Sequence, residues 1–168
     1  MARYLVIICF TLISLSAFAQ NEQPSTTTYY FIRHAEKEVD NPLETDAHLT
    51  EEGRKRAQNW SDILQHIRFD AVYTTDFNRT RETGRPTAER NQLEIITYSV
   101  STSYDDTFKT ATKGKTVLVV GHSNTIPDFV NTVIGNEKHK DIEDSNNGNL
   151  YIVTITDGTI TDLVLTIN

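Results

Sequence analysis

Cysteine, methionine, proline and glycine are all scarce in this chain. Its 168 residues hold one cysteine, Cys9, one methionine, four prolines and seven glycines. That composition excludes a disulfide scaffold, a collagen-like chain and a proline- or glycine-rich disordered one. Internal repeats and low-complexity tracts are missing too. Basic charge is in short supply: 16 lysines and arginines face 23 aspartates and glutamates, a net charge of −7. Such a surface suits neither nucleic acid nor an anionic membrane, so any anion this protein binds must be drawn by a local site. What remains is an ordinary globular composition, 38% hydrophobic and 23% charged, long enough for one compact domain and too short for two.

One stretch stands apart. Met1-Ala2-Arg3 supplies a positive charge, Leu5 to Ala19 is nearly all apolar, and Ala17-Phe18-Ala19 puts small residues where a signal peptidase reads. The pattern predicts a signal peptide over 1–19, with cleavage near Ala19 and export to the periplasm or the outside. About fifteen apolar residues are too few for a ~30 Å hydrocarbon core, so no membrane span is expected in the mature chain. Cys9 lies inside the apolar run, and the mature chain would contain no cysteine. Residues 20–27 read as a flexible tether, and residues 28–168 as the folded domain.

Within that domain, strands and helices alternate. Tyr29-Tyr30-Phe31-Ile32 reads as a buried strand ending in Arg33-His34. The polar stretch from Glu36 to His48 reads as a loop. Thr50 is a candidate N-cap for a helix over about 51–66, with Ala57, Trp60, Ile63, Leu64 and Ile67 at helical spacing. Residues 71–75 form a second strand candidate, 78–90 a second helix and 93–98 a third strand. Thr116 to Gly121 is a continuous apolar, β-branched run, as a central strand covered on both faces requires. A helix over 126–134 follows, with Pro127 in its first turn and Gly135 beyond its end. Residues 150–156 and 159–167 read as two strands joined by the two-residue turn Asp157-Gly158. The alternation predicts an α/β fold with a mostly parallel sheet.

Two histidines and two arginines gather at strand ends in this reading. Arg33-His34 ends the first strand, Gly121-His122 the central one, and Arg79 follows the second at a helix start. Ligands of open α/β sheets sit beyond the carboxyl ends of the strands, and helix N-termini and arginines favour anions. A pocket with two imidazoles and two guanidiniums calls for an anion to neutralise it.

These residues lie in segments that resemble the histidine phosphatase superfamily, which also contains the phosphoglycerate mutases. Tyr30-Phe31-Ile32-Arg33-His34-Ala35-Glu36 resembles its Arg-His-Gly signature. Leu49-Thr50-Glu51-Glu52-Gly53-Arg54 resembles its Leu-Thr-x-x-Gly segment, Tyr73 to Thr83 its Ser-Ser-x-x-x-Arg-Ala-x-x-Thr segment, and Val117 to Ser123 its apolar strand ending in Gly-His. The resemblance implies a three-layer sandwich, phosphoglycerate mutase-like, with helices on both faces of the sheet. It implies that His34 is the nucleophile, forming a phosphohistidine that water hydrolyses, while Arg33, Arg79 and His122 bind the non-bridging oxygens. No metal or cofactor is implied, since fixed guanidinium donors can stabilise charge on three oxygens. His34 must present a neutral nitrogen, and His122 is more useful protonated, so the two are expected to titrate differently.

The sequence also departs from the family. Ala35 stands where glycine is usual, Asp40 roughly where mutases carry asparagine, and Ser123 where the acid phosphatase branch carries aspartate. Three carboxylates compete as proton donor to the leaving group: Asp105 and Asp106 in the segment after the third strand, which this reading prefers, and Glu36 beside the nucleophile, which is also expected near bound substrate. The expected activity is phosphomonoester hydrolysis on a small phosphorylated molecule or a phosphorylated protein or envelope component. A catalytically inactive module binding a phosphorylated ligand is the alternative, and mutase chemistry a weaker third. The sequons at Asn59 and Asn78 lie in expected helices and match by chance; His48, His66 and His139 are expected to be solvated, and Trp60 to be core.

Overall fold

The computed structural model describes residues 25–39 and 45–167. The expected signal peptide, most of the tether and Asp40 lie outside the described residues. Six strands form one sheet in the order β3-β2-β4-β1-β5-β6: β1 (Thr26–Arg33), β2 (Ala71–Thr74), β3 (Ile95–Thr97), β4 (Thr116–Gly121), β5 (Asn149–Thr156) and β6 (Thr159–Thr166). The first four run parallel, and β5 and β6 add an antiparallel hairpin beside β1. Asp157 and Gly158 join that hairpin with φ of 49° and 79°, the positive values that a twisted two-residue turn requires.

The pleat sends alternate residues to two separate cores. Tyr29, Phe31, Val117 and Val119 point to one face, where they meet Phe108 of α3 (Asp106–Thr112) and Phe129, Val130 and Val133 of α4 (Thr125–Ile134). Ile32, Val72, Leu118 and Val120 point to the other face, against Trp60 of α1 (Glu51–Ile63) and Ala88 of α2 (Asn78–Asn91). The result is a three-layer α/β sandwich. Among the described residues, no helix is long and apolar enough to cross a membrane.

Three details differ from the sequence reading. β1 begins at Thr26, so Thr26 and Thr27 pair with Thr156 and Ile155 rather than belonging to a tether. The segment from Ser99 to Lys113, to which the residue pattern assigns no element, contains a 3-10 turn at Val100–Thr102 and the helix α3. Only Phe108 and Thr112 of α3 are buried, too few to leave a helical period in the sequence. His139 is not solvated: its Nε2 lies 2.9 Å from Asp162, its ring packs edge-on against Tyr151, and its side chain is 11% exposed.

Candidate active site

Because β1, β2 and β4 are parallel, their carboxyl ends share one edge of the sheet. Arg33 aligns with Gly121 across β1 and β4, and Thr74 with Val120 across β2 and β4. The residues that follow are thereby gathered: the rings of His34 and His122 lie edge-to-face with centroids 5.4 Å apart. Gly121 is required by crowding at that edge. A Cβ there would come within 2.9 Å of both the Ile126 side chain and the Tyr98 hydroxyl.

His34 is buried, and its Nδ1 lies 2.8 Å from the carbonyl of Ala35. A carbonyl can only accept, so Nδ1 carries the hydrogen and Nε2 keeps the lone pair. Burial pushes the pKa of His34 down to about 3, an effect that the hydrogen bond to Ala35 opposes and the nearby charges of His122, Arg79 and Arg33 reinforce. His122 is pushed down to about 4, first by burial and then by Arg79 and Arg33. Both imidazoles are therefore neutral near pH 7. This corrects the expectation of a protonated His122: the arginines that prepare the site for an anion also disfavour a third positive charge.

The two guanidiniums are held differently. Arg33 Nη1 donates to the carbonyls of Glu143 and Asp144 at 3.0 Å and of Asn146 at 3.2 Å, and Nη2 to Asp144 Oδ1 at 3.3 Å. Arg79 lies over the Phe77 ring, 4.3 Å from its centroid, and donates to the carbonyl of Thr45 at 3.3 Å. Yet the Nε atoms of both are buried with no partner among the described residues. Two unpaired N–H donors beside two imidazoles leave the site short of acceptor oxygens, which a tetrahedral oxyanion would supply.

A cavity of about 350 Å³ opens at Arg33 and His34, with Glu36, Lys37, Asp144 and Asn147 in its wall. Arg79 and His122 are not part of that wall. Glu36 accepts from Arg56 Nε at 2.7 Å through Oε1, while Oε2 is buried without a partner among the described residues. The two aspartates have other partners. Asp105 caps α3 by accepting from the Phe108 amide at 2.8 Å, and the fully exposed Asp106 pairs with Lys109 at 3.4 Å. Neither makes a hydrogen bond or ion pair with Arg33, His34, Arg79 or His122.

Residues 29–99 match the family model described as "Histidine phosphatase superfamily (branch 1)". Over that stretch, less than half of the 168 residues, the chain is similar to that superfamily. No curated protein matches it. Solved structures with the same fold include a phosphoglycerate mutase from Bacillus anthracis, at 16% identity and a TM-score of 0.66 over 86% of this chain and 93% of that one. An alpha-ribazole phosphatase from Shigella flexneri aligns at 17% identity and a TM-score of 0.63 over 83% and 96%. The protein histidine phosphatase SixA complexed with tungstate aligns at 16% identity and a TM-score of 0.64 over 83% and 96%. At these identities the likeness concerns the fold.

Around the two histidines, the structure adds residues to which sequence reasoning gave no role. Thr83 on α2 accepts from the amide of Ala35 at 2.9 Å, tying that helix to the backbone beside His34. Thr75 Oγ1 stands 2.9 Å from His122 Nε2, and Thr80 Oγ1 stands 3.1 Å from Thr75 Oγ1. A run of buried hydroxyls between β2 and α2 was the available signal. Polar side chains at positions facing a core need partners, and these found them around the histidines.

Proposed function

We propose that this protein is a metal-independent phosphomonoester hydrolase working through a phosphohistidine on His34. The single observation that carries the reading is the state of His34: a neutral imidazole with Nδ1–H bound to the Ala35 carbonyl and the lone pair on Nε2, beside two guanidiniums whose Nε–H groups have no partner among the described residues. Nε2 attacks phosphorus as the bond to the leaving oxygen breaks, and that oxygen takes up a proton. Water then attacks the phosphohistidine, the P–N bond breaks and His34 is restored as phosphate leaves. Arg33, Arg79 and His122 bind the non-bridging oxygens, where charge is spread during both transfers.

Of the three candidate carboxyl groups, Glu36 is the one in the cavity wall, and we assign it the proton transfers to the leaving oxygen and from water. The substrate is a small phosphorylated molecule or a phosphorylated protein or envelope component, met outside the cytoplasm if residues 1–19 act as an export signal. A second reading is favoured by Arg33, whose four hydrogen bonds to residues 143–146 are those of a structural anchor. In that reading the pocket binds a phosphorylated ligand without hydrolysing it.

The test is phosphate release by purified residues 20–168 from an aryl and an alkyl phosphate between about pH 4 and about pH 8, with His34→Ala alongside. Turnover of both esters, lost in the variant with the fold intact, is the expected result. Retained turnover in His34→Ala overturns the mechanism, and saturable phosphate binding with no turnover favours the second reading.

A further inference from the structure

Buried hydroxyl groups are costly unless paired, and each has only one hydrogen to give. Between β2 and α2, Thr75 and Thr80 are buried, at 2% and 0% exposure, and their hydroxyls form a chain leading to His122. Thr80 Oγ1 lies 2.8 Å from the Thr75 carbonyl and 2.9 Å from the Phe77 carbonyl. Those carbonyls only accept, so the Thr80 hydrogen points at them. Thr80 Oγ1 can then only accept from Thr75 Oγ1, 3.1 Å away, which takes up the one Thr75 hydrogen. Thr75 Oγ1 is left as an acceptor toward His122 Nε2 at 2.9 Å, and Nε2 must therefore carry hydrogen.

We propose that Thr75 is a positioning residue for His122: with its own hydrogen committed to Thr80, its hydroxyl holds the imidazole as the Nε2–H tautomer. Nδ1 is then the nitrogen left to take up and return a proton as phosphoryl oxygens gain and lose charge. The inference rests on the phosphatase reading for its catalytic consequence, but the tautomer follows from the protein's own hydrogen bonds. The two histidines are held as opposite tautomers, His34 by a carbonyl and His122 by a hydroxyl whose direction is set two bonds away. A hydroxyl alone could serve either tautomer; Thr80 removes that freedom. Thr75 touches neither substrate nor reacting atoms in this assignment and acts through the ring it orients.

The experiment is two-bond ¹H–¹⁵N correlation NMR of the histidine rings near neutral pH, with His122 assigned by its loss in His122→Asn, together with kcat and KM on an aryl phosphate. Wild-type His122 is expected as the Nε2–H tautomer. Thr75→Ser keeps it, while Thr75→Val and Thr80→Val shift His122 toward a mixture or the Nδ1–H form. Loss of an orienting partner should lower kcat about 10- to 100-fold in Thr75→Val with KM little changed, and Thr75→Ser should restore it. Thr80→Val, which leaves the His122 contact in place, separates control of the hydrogen from mere packing. An unchanged tautomer in both valine variants, or wild-type kcat in Thr75→Val, overturns the proposal. If the wild-type enzyme hydrolyses nothing, the phosphatase reading fails, while the tautomer spectra still decide the role of Thr75 and Thr80.

Discussion

The backbone carbonyl of Glu36 occupies the space where a side chain at Gly53 would begin: a Cβ on Gly53 would lie 2.1 Å from that oxygen. The first turn of α1 thus presses directly on the chain leaving His34. The Thr50 amide donates to the same carbonyl at 2.9 Å, and the Thr50 hydroxyl accepts from the Gly53 amide at 3.0 Å. Helix cap and the loop after His34 are one contact. Gly53→Ala must push them apart, which costs about 1–3 kcal/mol, the range for overpacking a close-packed contact. We expect a lower midpoint in chemical denaturation and a fall in kcat, since Glu36 moves with its backbone. Wild-type values of both would contradict this coupling.

The two arginines should separate in stability measurements. Arg33 holds the segment before β5 through four hydrogen bonds, three of them from Nη1 to backbone carbonyls, and bonds from a charged donor are stronger than neutral ones. Among the described residues, Arg79 makes one hydrogen bond, an exposed one to the Thr45 carbonyl. Arg33→Ala should therefore lower both stability and activity. Arg79→Ala should leave the denaturation midpoint near wild type while lowering kcat about 10²- to 10³-fold, as loss of a donor to developing charge does elsewhere.

Glu36 and Asp105 can be told apart by amide substitutions. Asp105→Asn keeps a competent N-cap on α3 and removes only the carboxyl group, so stability and kcat should both stay near wild type. Asp105→Ala should cost about 0.5–2 kcal/mol of stability through loss of the cap. Glu36→Gln should lower kcat on an alkyl phosphate about 10²- to 10⁴-fold, with a smaller loss on an aryl phosphate, whose leaving group needs less help. Loss of alkyl phosphate turnover in Asp105→Asn would move the proton transfer from Glu36 to Asp105.

The histidines predict a pH dependence with a definite sign. In the folded protein their pKa values lie near 3 and 4, against 6.5 for an unperturbed imidazole. Between those limits the unfolded chain binds more protons, so acid favours unfolding: the contribution is fully present above 6.5 and is lost as pH falls toward 4 and then 3. Stability in denaturant should decline over that range, and less steeply in the double variant His34→Asn with His122→Asn. For the same reason kcat/KM should show no acid limb near 6.5 from loss of the neutral His34. A limb there that tracks His34 would mean the ring is protonated far more easily than its burial allows.

Much of this fold was legible in the residue pattern because its signals are local. The run Thr116 to Gly121 announces a strand covered on both faces, Thr50 announces a helix start, and Asp157-Gly158 announces a hairpin. The helix α3 was not legible: seven residues with two buried positions carry no period, and the helix is held by Phe108 among Tyr29, Tyr73 and Phe129. Asp105 and Asp106 looked available as acids for the same reason, since nothing in the sequence shows that one would cap that helix and the other pair with Lys109 at the surface.

By itself, then, the sequence determined the strand and helix alternation, the strand ends at which Arg33, His34, Arg79 and His122 stand, and the scarcity of positive charge elsewhere. These follow from side-chain chemistry at short range. Tertiary structure alone decided the rest: that Arg33 is committed to the 143–146 carbonyls, that Glu36 and not the two aspartates lines the cavity, and that both imidazoles are neutral with opposite nitrogens protonated. Tautomer, protonation state and hydrogen-bond commitment depend on which groups surround an atom in space. Thr75 and His122, 47 positions apart, become partners only when β2 and β4 lie side by side.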